Sequence, residues 1–139
     1  GARPALGGVA GHLLVPDVDH LHVLVEAGVV DRLDVPAAEG EDRVDAFPRL
    51  DTTEIWTLTN RSMMTHPVHI HDVFFQILDV NGAPPPATHA GWKDTVPVPP
   101  MGTARVILRF DDYLGRYVFH CHVLEHEDHM MMAQFEVIP

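Results

Sequence analysis

The sequence predicts an all-β fold, a sandwich or barrel, and three observations lead there. Short apolar runs recur along the chain, twelve prolines and ten glycines separate them, and no segment of 11 or more residues sustains a capped 3.6-residue period. At 139 residues the chain is the size of one domain. Its composition, 46% hydrophobic and 21% charged, provides for a sizeable core and argues against a disordered or low-complexity tract.

The elements follow in order. The chain opens Gly1-Ala2-Arg3-Pro4, with no Met, basic n-region or apolar h-region. No export signal is readable there, and the sequence reads as cut from something longer. A first strand is expected near Leu21–Val25. The acidic stretch from Asp31 to Asp51, broken by Pro36, Gly40 and Pro48, is expected to be a solvated loop without chemistry. Further strands are expected near Glu54–Asn60, Val73–Val80, Ala104–Phe110, Gly115–His122 and Gln134–Ile138. Turn-rich stretches such as Asn81-Gly82-Ala83-Pro84-Pro85-Pro86 separate them. Trp92-Lys93-Asp94-Thr95 reads as a turn leading into a strand, and Trp56, Phe74, Phe75, Tyr117 and Phe119 read as core aromatics. The residues before Asp51 are too few to bury a core alone. Residues 1–139 are therefore expected to form a single domain, with 1–50 its least defined part.

Charge and hydropathy exclude two partners. Nine Lys+Arg against 20 Asp+Glu leave a formal charge of −11, which repels phosphate backbones, so nucleic acid is not expected. Apolar runs such as Val73-Phe74-Phe75 and Val106-Ile107-Leu108 stop far short of the ~18 residues of a membrane-spanning helix.

The chemistry lies in 11 histidines and a single cysteine. One cysteine forms no internal disulfide, so any special role is as a thiolate or a buried apolar group. Six histidines fall into two clusters, His66-Pro67-Val68-His69-Ile70-His71 and His120-Cys121-His122 with His126 following. Side chains alternate along a strand. Cys121 thus shares a face with Phe119 and Tyr117, while His120 and His122 point the other way. By the same parity His69 and His71 share a face and His66 tends to the opposite one, which implies two sites back to back. A thiolate with two imidazoles and a distant thioether, from Cys121, His126, His66 and one of Met130, Met131 and Met132, is the ligand set of a blue copper centre. Four further imidazoles, His69, His71, His120 and His122, supply part of a second, multinuclear site. Because Cys121 is bonded to both His120 and His122, an electron at sulfur has a short covalent path between the two. Structural zinc also takes Cys/His sets. A thiol nucleophile is disfavoured because the flanking histidines face away from the sulfur.

The two motifs, HxxHxH and HCHxxxHxxxxM in this order, resemble those of the multicopper oxidases, specifically the last cupredoxin domain of a three-domain enzyme. Thr53-Glu54-Ile55-Trp56, Gly91-Trp92-Lys93-Asp94-Thr95 and Gly115-Arg116-Tyr117-Val118 are similar to segments of bacterial spore-coat laccases and bilirubin oxidases, and the likeness covers roughly Asp51 to Pro139. It implies a Greek-key β-sandwich of the cupredoxin type. It further implies that His66, Cys121, His126 and axial Met131 hold a type 1 copper. His69 would then belong to a type 2 copper, and His71, His120 and His122 to a type 3 pair. Glu127 stands where such proteins carry an acid that delivers protons to oxygen.

The implied activity is one-electron oxidation of a phenolic or similar small reductant coupled to four-electron reduction of O2. The trinuclear cluster would be completed by an N-terminal cupredoxin domain of the same enzyme or by a partner subunit. A stand-alone blue-copper electron carrier is the alternative, and self-assembly of copies a third. His20-Leu21-His22 lacks the expected context and is not assigned. His12, His20, His22, His89 and His129 read as surface or hydrogen-bonded residues, with His129 lying inside the metal loop.

Overall fold

A computed structural model describes residues 21–26, 34–35, 44–128 and 131–139, the first two segments in backbone only. The strands, in chain order, are β1 (Leu21–Glu26), β2 (Asp34–Val35), β3 (Thr52–Asn60), β4 (His66–Ile70), β5 (Phe75–Val80), β6 (Trp92–Lys93), β7 (Thr95–Val98), β8 (Thr103–Phe110), β9 (Gly115–Cys121) and β10 (Met132–Val137). A short helix, α1 (Leu124–Asp128), interrupts the path from β9 to β10. The strands form two antiparallel sheets, one in the order β2-β1-β3-β8-β5-β6 and the other β10-β9-β4-β7.

Alternation makes the sandwich. On β3 Trp56 and Leu58 are buried between part-exposed neighbours, and on β8 Ala104, Val106, Leu108 and Phe110 repeat the pattern. Trp56 meets Phe110 within its own sheet at 5.8 Å between ring centroids. Across the gap it meets Phe119 at 5.8 Å and Phe135 at 5.5 Å, both edge-on. These contacts place the two sheets face to face over one apolar core. The Trp56 indole N–H donates to Glu54 Oε2 at 2.8 Å. Burial pushes the Glu54 carboxyl above its ordinary range, and that hydrogen bond partly offsets the shift.

All six expected strands are present, and the Trp92–Thr95 stretch supplies β6 and the start of β7. The first histidine cluster proves to be a strand of its own, β4, paired between β9 and β7. Two expectations are corrected. Phe74 is 66% exposed: Val73 and Phe75 on either side point inward, so period-2 alternation turns the middle aromatic out. Tyr117 is only partly buried and stacks on Phe135 at 5.5 Å.

The second correction concerns the acidic stretch. Over 45–50 it is not a solvated loop but runs parallel beside β10. Asp45 N–H donates to Gln134 O (2.8 Å), Glu136 N–H to Ala46 O (2.9 Å), Ile138 N–H to Pro48 O (2.9 Å) and Leu50 N–H to Ile138 O (2.8 Å). Covering the β10 edge satisfies its backbone groups and buries Asp45 and Ala46. Earlier in that stretch β2 pairs with β1. Its residues 31–33 and 36–43, with His12, His20, His129 and Met130, lie outside the described residues.

Candidate metal centre

The site is built where β4 and β9 run side by side. Their antiparallel register sets Val68 opposite Cys121, His69 opposite His120 and Ile70 opposite Phe119. Parity does the rest: His66, Val68, Ile70, Phe119 and Cys121 are buried on the core side, while His69, His71 and His120 gather on the other. The expected back-to-back arrangement is the one observed.

On the core side Cys121 Sγ lies 3.5 Å from His66 Nδ1 and 3.4 Å from His126 Nδ1, and the two imidazole nitrogens are 3.2 Å apart. His126 is delivered by the single turn of α1, and the chain then folds back so that Met131 N–H donates to His126 O (2.9 Å) and Cys121 N–H to Met131 O (3.1 Å). Met131 is buried at 3% exposure. The triangle of donor atoms has its centre ~1.9 Å from each corner, close to the ~2.0–2.3 Å of a first-row metal's bonds to imidazole nitrogen and thiolate sulfur. One soft and two borderline donors converging on a point is the donor set of a copper centre, so these residues fit the ion. Burial raises the Cys121 thiol pKa; the Val123 backbone N–H lowers it and Glu127 adds to the rise. A thiol held protonated in this way is a poor nucleophile and needs a cation to release its proton.

On the opposite side His71 Nε2 and His120 Nε2 are 3.2 Å apart. One nitrogen from each of His69, His71 and His120 falls within 4.8 Å of the others. Two backbone carbonyls fix which nitrogens face inward. His69 Nδ1–H donates to Asp94 O (2.8 Å) and His120 Nδ1–H to Cys121 O (3.1 Å), because a carbonyl only accepts, and this leaves each Nε2 as the lone-pair atom. Burial lowers the His71 pKa, and His69, His120 and His122 lower it further against an opposing contribution from Glu127. The imidazole is thereby kept neutral, the form that binds metal.

His122 lies just past the end of β9, its N–H donating to Pro67 O at 2.7 Å. Its ring is 5.7 Å from that of His69 and 5.6 Å from that of His120, so it borders the tight trio without joining it. Glu127 Oε2 is 3.8 Å from His120 Nδ1. Among the described residues these are the two groups of three metal-ligating side chains; His89, on the turn 87–89, belongs to neither. The sequence gives no sign of Asn60 and Ser62, although Ser62 Oγ is 2.7 Å from His66 Nε2 and Asn60 Oδ1 accepts from Ser62. A loop return of this kind follows no spacing rule, and only the fold reveals it.

Comparisons with known proteins point in one direction. Residues 27–139 match the family model described as multicopper oxidase. A laccase of Bacillus subtilis is 34% identical over 86% of this chain and 28% of its own length. A bilirubin oxidase of Albifimbria verrucaria is 37% identical over 73% of this chain and 18% of its own. Among solved structures, a multi-copper oxidase from Pediococcus acidilactici superposes with a TM-score of 0.72 at 33% identity, covering 96% of this chain and 29% of that one. The chain thus spans less than a third of the length of each of these relatives.

Proposed function

Because the chain belongs to the multicopper oxidase family, we propose that it is the electron-entry domain of a laccase-like oxidase. A phenol or similar reductant gives up single electrons at the Cys121 group, and O2 is reduced to water at the histidine group behind it. The carrying observation is the covalent adjacency of the two groups, with Cys121 in one and His120 in the other. In this reading all 139 residues form one C-terminal cupredoxin domain. His66, Cys121, His126 and Met131 would hold the type 1 copper. His69 serves the type 2 copper, and His71, His120 and His122 serve the type 3 pair. The other ligands of the trinuclear cluster come from an N-terminal cupredoxin domain or a partner subunit.

When bound, copper supplies one-electron chemistry between its Cu(I) and Cu(II) states. The chain's own residues divide the remaining work. His126 is partly exposed and forms the rim at which a reductant makes contact, whereas His66 and Cys121, at 0% exposure, keep water from the sulfur. The Cys121–His120 peptide would give an electron a short covalent path between the two groups. His69 and His120 are oriented by backbone carbonyls, and Glu127, whose Oε2 lies 3.8 Å from His120 Nδ1, is the carboxyl placed to relay protons to reduced oxygen.

A stand-alone electron carrier would leave the His69, His71 and His120 group without a task. The test is an absorption spectrum after copper loading. The expected result is an intense thiolate-to-copper band near ~600 nm, lost in Cys121→Ser. A loaded chain without that band rejects the reading.

A further inference from the structure

The hydrogen bonds behind His66 determine where its proton sits. Asn60 closes β3, its backbone N–H donating to Gly102 O at 2.8 Å. Its side-chain Nδ2 faces three carbonyls, Met64 O at 2.6 Å, Pro99 O at 3.0 Å and Val98 O at 3.1 Å. Carbonyls only accept, so the amide nitrogen must be the atom pointing at them, and a flipped carboxamide would set oxygen against three oxygens. Asn60 Oδ1 is thereby turned to Ser62, accepting from its backbone N–H and its hydroxyl, both at 2.8 Å.

The hydroxyl has one hydrogen, and Asn60 Oδ1 at 2.8 Å takes it in preference to the more distant Met64 O at 3.3 Å. Ser62 Oγ is left with two lone pairs. One accepts from Met64 N–H at 3.3 Å, and the other faces His66 Nε2 at 2.7 Å. At that distance His66 has to donate, so its proton lies on Nε2 and the bare nitrogen is Nδ1. That is the atom aimed at Cys121 Sγ (3.5 Å) and His126 Nδ1 (3.2 Å). Asn60 and Ser62 are both buried, and Met101 N–H ties the loop down at Ser62 O (3.0 Å), so the relay is shielded from competing water.

We propose that Asn60, acting through Ser62, is a positioning device for the type 1 site. It fixes the tautomer of His66, presents Nδ1 to the metal, and strengthens that nitrogen as a donor by accepting the proton side of the ring. This rests on the reading of His66, Cys121 and His126 as the type 1 ligands. Outer partners of a ligating histidine orient the ring and raise its basicity, and losing one typically costs 10–100-fold in metal affinity.

The experiment compares the full chain with Ser62→Ala and Ser62→Thr. Imidazole 15N NMR of the cation-free protein reads the tautomer directly. Copper competition titration and the reduction potential of the loaded chain read the consequence. The expected result is Nε2–H on His66 in the wild type. In Ser62→Ala the tautomer is mixed, copper binding is about 10–100-fold weaker, and the potential is higher because a less basic ligand favours Cu(II) less. Ser62→Thr, which keeps the hydroxyl, restores all three. Nδ1–H on His66 in the wild type overturns the proposal, as does an alanine variant whose tautomer and affinity are unchanged. A wild-type chain that carries Nε2–H on His66 but gives no blue band supports the relay and rejects the functional reading instead.

Discussion

Phe135 is where the two sheets are joined most densely. Its side chain is fully buried. Its ring centroid lies 5.5 Å from that of Trp56, 5.7 Å from Phe110, 5.5 Å from Tyr117 and 6.4 Å from Phe119. Truncating a buried Phe to Ala costs about 3–5 kcal/mol, and four aromatic neighbours put this position at the upper end, about 4–5 kcal/mol. A domain of this size has about 5–15 kcal/mol in all, so Phe135→Ala removes about a quarter of it or more. With a urea slope of about 2 kcal/mol per M, the unfolding midpoint should fall by about 2 M. Phe135→Leu, which keeps most of the volume, should lose about 1–2 kcal/mol. Far-UV circular dichroism along a urea titration measures both. Copper at a hundred times its dissociation constant should return about 2.7 kcal/mol to wild type and variant alike, since binding to the native state adds independently of the core defect. Equal small losses in the alanine and leucine variants would mean that the rings do not share one core, and the sandwich packing described here would be wrong.

Two further predictions concern carboxyls. Glu54 has its folded-state pKa raised above the ordinary 4.5, so the native chain holds a proton more tightly than the unfolded one. Stability is therefore lost as pH rises from 4.5 through the folded value. Glu54→Gln keeps an acceptor for the Trp56 N–H and removes this penalty. Its thermal midpoint should exceed that of the wild type at pH 7, with the gap closing below pH 4.5; a gap independent of pH would exclude the carboxyl as its source. Glu127→Leu, in the complete oxidase, should slow oxygen uptake while leaving the blue band in place. Oxygen uptake at the wild-type rate would remove Glu127 from proton delivery.

The sequence by itself determined the all-β class, six of the strands and the two opposed histidine faces, because strand parity is a property of the chain and needs no tertiary information. Counting residues puts His69 and His71 on one face of their strand, and Cys121 on the opposite face of its own strand from His120 and His122. The tertiary structure decided what counting leaves open. The β4–β9 register sets His69 opposite His120, and α1 brings His126 to within 3.4 Å of Cys121 Sγ. The acidic segment 45–50 became a covered sheet edge because β10 had backbone groups to satisfy, which acidic composition does not register. Asn60 and Ser62 act on His66 through the geometry of a loop return, where a hydrogen bond depends on distance and direction rather than spacing along the chain.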